Sequence, residues 1–249
     1  MAITDIVVAR GTIYGTTPRD LAITPTAADS KVVVVAWCGG EDTWTITRDP
    51  ASANEAPDFS ITPGYNATAG ITLAVGIWDG QPASAETFRI AHTDTGGGDP
   101  KIHIFAFAGA ATGTAEANDE DAVASSAGTT VTPTITVSEN AYIVALTGSP
   151  TGSPNLSSMA VVTEVAAEAT SGDAEVNRYG HTPTPGDTTA GSKSIACVWD
   201  TAWGGKYGFA MSFAEAGAGA GGLVTAQLAQ RGGLAARGGL AGRHRGVAG

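Results

Sequence analysis

The side chains able to do covalent or metal chemistry are few and scattered. His92, His103, His181 and His244 show no paired metal-ligand spacing and no HExxH pattern. His103 alternates within an apolar run and reads as a structural histidine, and His181 stands in a Pro-rich, solvated stretch. No GxSxG nucleophile elbow, phosphate-binding P-loop or CxxC pair occurs. Gly96–Gly98 followed by Asp99-Pro100 has the glycines of a phosphate cradle, but no helix pattern follows, so it reads as a turn. Cys38 and Cys197 each end an apolar run, where a small buried thiol is expected and a disulfide is not. Asn118-Asp119-Glu120-Asp121 offers oxygens to a cation but lacks the spacing and glycine of a calcium loop; a solvated acidic loop is the expectation. These residues predict no catalytic site, no cofactor and no metal, and hence not an enzyme.

Chemistry of recognition is better represented. Of the five tryptophans, Trp37, Trp78 and Trp199 end apolar runs and belong in a core, whereas Trp44 and Trp203 stand beside glycine and charge. Exposed aromatic platforms of that kind suit a host glycan, which keeps a glycan-binding, host-recognition module among the readings. Charge is divided along the chain. Residues 1–216 hold all 24 acidic and nine of the 13 basic residues, or −15, and residues 217–249 hold four arginines and no acid, or +4. An acidic body repels a phosphate backbone, and the RGG pairs of the tail lack interleaved aromatics, so nucleic acid is not an expected partner. Within the tail Arg231-Gly-Gly-Leu-Ala recurs six residues later as Arg237-Gly-Gly-Leu-Ala, followed by Arg243, Arg245 and a degenerate unit ending at Val247. Such a segment cannot bury enough apolar area to fold alone. It is suited to lie extended along another protein, with Leu223, Leu228, Leu234, Leu240 and Val247 in shallow pockets and Arg231, Arg237, Arg243 and Arg245 against carboxylates.

The elements that would carry these residues read as strands. Long helices need Leu, Glu, Lys and Arg, which are scarce here, while 34 glycines and 12 prolines make turns frequent. Lys31–Trp37 is a β-branched run, Thr43–Arg48 alternates, Ile71–Trp78 ends at Asp79-Gly80, and Lys101–Phe107 places Ile102, Ile104 and Ala106 opposite His103, Phe105 and Phe107. Val131–Val137, Tyr142–Thr147, Met159–Val165, Lys193–Trp199 and Tyr207–Phe213 follow, with Ile6–Ile13, Thr87–Ala91 and Ala174–Tyr179 as weaker candidates. Ala115–Ser125 is Ala- and acid-rich with no apolar stripe and reads as an exposed loop or a single turn. The sum is an all-β chain: a two-sheet antiparallel sandwich or jelly-roll-like domain over residues 1–216. A Gly/Ala/Arg-rich C-terminal arm over 217–249 follows the linker-like AGAGAGG. A faint echo (Ser30–Trp37 with Asn140–Thr147, Phe105–Ala110 with Phe209–Ala214) offers as the alternative two similar halves, about 1–115 and 116–216, each one sheet or one small sandwich. Two loose matches leave a single two-sheet domain as the expectation. Met1–Arg10 carries no secretory signal pattern, and no apolar run is long enough to span a membrane, so no membrane partner is expected.

The order Val32–Trp37, Trp44-Thr-Ile, Leu73–Trp78, Ile102–Ala110, then Thr129–Thr136, Glu139–Leu146 and Gly208–Phe213 resembles the β-sandwich domain of tailed-bacteriophage virion proteins, over about residues 28–215. The GGLA-containing tail also resembles the ends of small phage structural proteins. The resemblance implies a non-enzymatic virion structural protein, assembled in the host cytoplasm, that decorates or cements the capsid through its terminal arm. The alternative it implies is a minor tail or fibre-adaptor protein. Expected partners are copies of the chain itself, as a trimer, and the major capsid protein or tail proteins. No shaft, coiled coil or collagen-like run is present, which favours a compact protein over a long fibre.

Overall fold

The computed structural model describes residues 3–13, 18–49, 54–93, 100–150, 156–160, 163–169, 176–181 and 188–217. Every regular element among them is a β-strand, and every pairing is antiparallel. The first eight are β1 (Thr4–Thr12), β2 (Arg19–Ile23), β3 (Ser30–Gly39), β4 (Trp44–Arg48), β5 (Phe59–Asn66), β6 (Ile71–Gln81), β7 (Glu86–His92) and β8 (Lys101–Ala108). They form a five-stranded sheet in the order β1-β8-β3-β6-β5, and a three-stranded sheet, β2-β7-β4. This is jelly-roll connectivity, with β5 attached to the larger sheet.

The remaining strands repeat the plan. They are β9 (Ala117–Val123), β10 (Thr130–Val131), β11 (Thr134–Val137), β12 (Tyr142–Ser149), β13 (Leu156–Met159), β14 (Thr163–Ala169), β15 (Val176–His181), β16 (Gly191–Ser194), β17 (Cys197–Trp199) and β18 (Lys206–Phe213). The large sheet runs β9-β18-β12-β15-β14, the order of β1-β8-β3-β6-β5. Its companion is divided into β10-β17-β13 and β11-β16. The division falls at Pro133, which has no N–H to give a ladder and separates β10 from β11. The two segments that echo in sequence, Ser30–Trp37 and Asn140–Thr147, fall on β3 and β12, the central strands of the two large sheets.

Residue alternation then sets the layers. On β3, Val33, Val35 and Trp37 join Leu73, Val75, Phe105 and Phe107 and meet Tyr142, Val144, Leu146, Phe209 and Met211 of the other half in one core. Val32, Val34 and Ala36 face the opposite way, onto Ile23, Ile46, Phe88 and Ile90 of the small sheet. Ile143, Ala145 and Ala210 do the same in the second half, against Val131, Ile135, Cys197 and Trp199. Four layers are therefore stacked, small sheet, large sheet, large sheet, small sheet, around three cores. A strand in a central layer is buried on both faces, so β3, β12 and β18 are buried at every position. That is why they read as unbroken apolar runs.

His103 shares the face of β8 that carries Phe105 and Phe107, and it is fully buried. Burial, with the charges of Arg10 and Lys101 added, pushes its pKa down to about 3. The folded state therefore keeps the ring neutral where the unfolded chain would protonate it. Stability is fully present above about pH 6.5 and is lost as pH falls towards 3, at up to about 1.4 kcal/mol per pH unit from this group. At pH 5 the loss is about 2 kcal/mol. Urea midpoints measured from pH 8 to 4 should show this slope, and His103→Leu should flatten it.

Candidate functional site

The expected acidic loop is a strand. Residues 117–123 form β9, an edge strand paired along β18, correcting the reading of Ala115–Ser125 as a loop or turn. Its carboxylates are used internally: Asp121 accepts the N–H of Thr132 at 2.6 Å and Asp119 that of Thr134 at 2.7 Å. These are the amides flanking Pro133, where the small sheet is interrupted. Glu120 accepts the Tyr207 hydroxyl at 2.5 Å, and burial, with that carboxylate beside it, pushes the phenol's pKa up. No cluster of three or more His, Cys, Asp or Glu suited to a metal occurs among the described residues.

Trp37, Trp78 and Trp199 are buried, Trp44 is partly covered, and Trp203 is exposed. Cys38 and Cys197 are buried free thiols, and burial pushes Cys197 up to about 12. The partner-binding residues expected in the arm, Leu223, Leu228, Arg231, Leu234, Arg237, Leu240, Arg243, Arg245 and Val247, lie outside the described residues, as do His244 and Gly96–Asp99.

Among the described residues, a cleft of about 440 Å³ opens in the first half. It arises from a mismatch: a five-stranded sheet is covered by a three-stranded one, so the outer faces of β5 and β6 run on past the last strand, β4. Six consecutive residues, Asp42 to Thr47, line one wall. Since a strand face would show only alternate residues, β4 must present its backbone edge. Ser60, Thr62 and Gly64 of β5 with Thr72–Val75 of β6 form the floor, and Ala56-Pro57 closes one end.

At the other end sits a junction that sequence reasoning missed. Asp42 Oδ2 accepts His92 Nδ1–H at 2.6 Å and the Cys38 thiol at 3.6 Å. Its Oδ1 accepts the Thr93 N–H at 2.8 Å, the Thr93 hydroxyl at 2.6 Å and the Thr43 N–H at 2.7 Å. Burial pushes the Asp42 carboxyl up, but the donors from Thr93, His92 and Thr43 outweigh it and hold the group below the usual carboxylate range. Trp44 lies over the His92 ring, centroids 5.4 Å apart. Although cysteine, aspartate and histidine meet here, the carboxylate stands between thiol and imidazole, so His92 Nδ1 is bonded to Asp42 and not to the thiol. A nucleophile–base pair would need the reverse order. The arrangement fastens the β3–β4 turn to the end of β7. No sequence spacing announces it: residues 42 and 92 meet only through the register that pairs Trp44 with His92.

No family model matches the chain, and no curated protein matches it. Among solved structures, a point variant of the Bacillus subtilis oxalate decarboxylase aligns at 10% identity over 81% of this chain and 70% of that one, with a TM-score of 0.21. A deletion mutant of the same enzyme aligns at 9% identity over 81% and 69%, also at 0.21. Likenesses of that size carry no argument about fold or activity.

Proposed function

We propose that the chain is a non-enzymatic structural protein that joins a larger assembly through its C-terminal arm, and that the assembly is a tailed-phage virion whose capsid it decorates or cements. The observation that carries the reading is how the arm is rooted. Ala110, in the segment joining the two halves, pairs with Glu215 just before the arm begins. The Ala111 N–H donates to the Ala214 carbonyl at 2.8 Å and the Ala216 N–H to the Gly109 carbonyl at 2.7 Å. Asn140 Nδ2 donates to the Glu215 carboxylate at 3.0 Å and helps hold its pKa down. The arm thus leaves from the seam between the halves, where load on it reaches both large sheets at once. A tether needs a fixed root, and these backbone bonds between the ends of the two halves supply one.

Arm residues bring apolar and cationic groups to a body of opposite charge, and copies of the chain as a trimer would engage several arms together. Deleting residues 218–249 should leave the body folded and lower incorporation into particles by about tenfold or more. Undiminished incorporation removes the tether. Copy number in purified particles separates the settings: hundreds place the protein on the capsid, and a small multiple of the tail symmetry makes it a minor tail or fibre-adaptor protein.

A further inference from the structure

We infer that the cleft between β4 and β5 is a slot for an added β-strand, and that the strand it takes is the arm's Arg-Gly-Gly-Leu-Ala repeat over residues 231–242. The inference deepens the proposed tether by naming its receptor, and it rests on that reading for the arm's purpose but not for the slot's chemistry.

The slot is already begun. Arg48, the last residue of β4, exchanges both backbone hydrogen bonds with Glu55, at 2.8 Å each, on the side away from β7. Asp49 gives its N–H to Thr87 of β7 at 2.8 Å, which fixes the parity from the other side. Trp44 and Ile46 therefore point their N–H and C=O groups the same way as Arg48, into the cleft, while Thr45 and Thr47 bond to β7. Glu55 starts a fourth strand for the small sheet, but the chain turns away at Ala56 and Pro57, and no further strand continues along β4 among the described residues. An edge of this kind is a template for an extended segment.

The arm's period fits that template. In an extended strand side chains alternate, so residues six apart share a face and residues three apart take opposite faces. Leu228, Leu234 and Leu240 would all lie on one face, and Arg231, Arg237 and Arg243 on the other. With the leucines turned inward they would meet a floor of small residues, Ser60, Thr62, Gly64, Thr72 and Ala74. Nothing stands within 4 Å of where a side chain at Gly64 would begin. The arginines would then point outward, over a body that carries −15. One six-residue repeat spans about 20 Å, close to the roughly 17 Å of a five-residue strand such as β4.

Two measurements on the full chain test this. The first is amide exchange. Trp44 and Ile46 should be protected in the wild-type chain and exchange at least about tenfold faster in Leu234→Asp/Leu240→Asp, with Thr45 and Thr47 protected in both. Those substitutions lie in the arm, so the fold of the body is not at stake. Protection that survives them means another occupant, a glycan included, and overturns the inference, as does absence of protection in the wild type. The second is disulfide trapping, for which the native thiols are buried. Thr45→Cys with Ala235→Cys, on the arginine face, should oxidise about tenfold faster than Thr45→Cys with Ala236→Cys, which has the opposite parity. A bridge between copies upholds both slot and tether. A bridge within one chain upholds the slot and removes the tether. Equal rates for the two pairs, in a chain whose arm deletion still abolishes incorporation, overturn the slot and leave the tether standing.

Discussion

Gly148→Ala is expected to destabilise the protein by about 3 kcal/mol or more, a large effect for one added methyl group. Gly148 lies on β12, on the face turned towards the other large sheet, and the indole of Trp37 from β3 occupies the space where its side chain would be. A Cβ built there would fall 1.5 Å from Cη2 of that ring and 2.1 Å from Cζ3. The ring is buried among Leu73, Leu146 and Tyr207, so the added carbon must push the two large sheets apart or force the indole from its rotamer. Trp37→Ala, which empties the same space, should itself lose about 3–5 kcal/mol. The decisive variant is the double one. With the ring gone the methyl group has room, so Trp37→Ala/Gly148→Ala should be no less stable than Trp37→Ala alone. That gives a coupling of about 3 kcal/mol in a urea-unfolding cycle. Additive losses would mean that the indole does not pack on Gly148.

Asp79→Ala should cost about 3–5 kcal/mol, because it strands a buried ammonium. The Lys31 side chain is 2% exposed and pairs with the Asp79 carboxylate, and its Nζ also donates to the Gly113 carbonyl at 2.7 Å. Asp79 Oδ2 accepts the Gly113 N–H at 2.6 Å, so one carboxylate holds both the lysine and the segment joining the halves. Burial holds the Lys31 pKa below its usual value, only partly offset by Asp79. Without Asp79 the folded-state pKa drops further. The unfolded chain then binds a proton that the folded chain refuses, in the window between that lowered value and about 10.5. The deficit of the variant is accordingly full below the folded pKa and shrinks as pH rises towards the unfolded one. Lys31→Met in the Asp79→Ala background should restore most of the loss at pH 7, since a thioether fills the site beside Phe213 without a charge. Failure of that rescue, or a deficit that grows with pH, would contradict the account.

The strands legible in the sequence are those of the two central layers. Val32–Trp37 and Tyr142–Thr147 are largely apolar on both faces because each face meets a separate core, as do those of β8 and β18 beside them. The outer strands were harder to read. β2 and β5 are largely solvent-facing and carry no apolar rhythm, so neither stands out. β9 is hidden because its run of carboxylates resembles a solvated loop; the amides they accept, Thr132 and Thr134, lie eleven and fifteen residues away in bonds that only the fold brings together. The cleft depends on how many strands each sheet has, and the Asp42–His92 junction depends on register. Neither quantity is written in any local stretch of residues.

The stacking of four layers also bears on how the chain is made. When β8 leaves the ribosome the first half has all its strands, yet the face bearing Val33, Val35, Leu73, Val75, Phe105 and Phe107 has nothing to lie against until β12 and β18 follow. Roughly one hundred residues must still be added, which at about 5–20 residues per second takes about 5–20 s. Throughout that interval neighbouring nascent chains on one message would display the same adhesive surface to each other. The correct mate arrives late but arrives tethered by a short segment, at an effective concentration of about millimolar. Slowing translation past residue 116, or crowding ribosomes on the message, should therefore shift the product from monomeric folding towards pairing of first halves between chains.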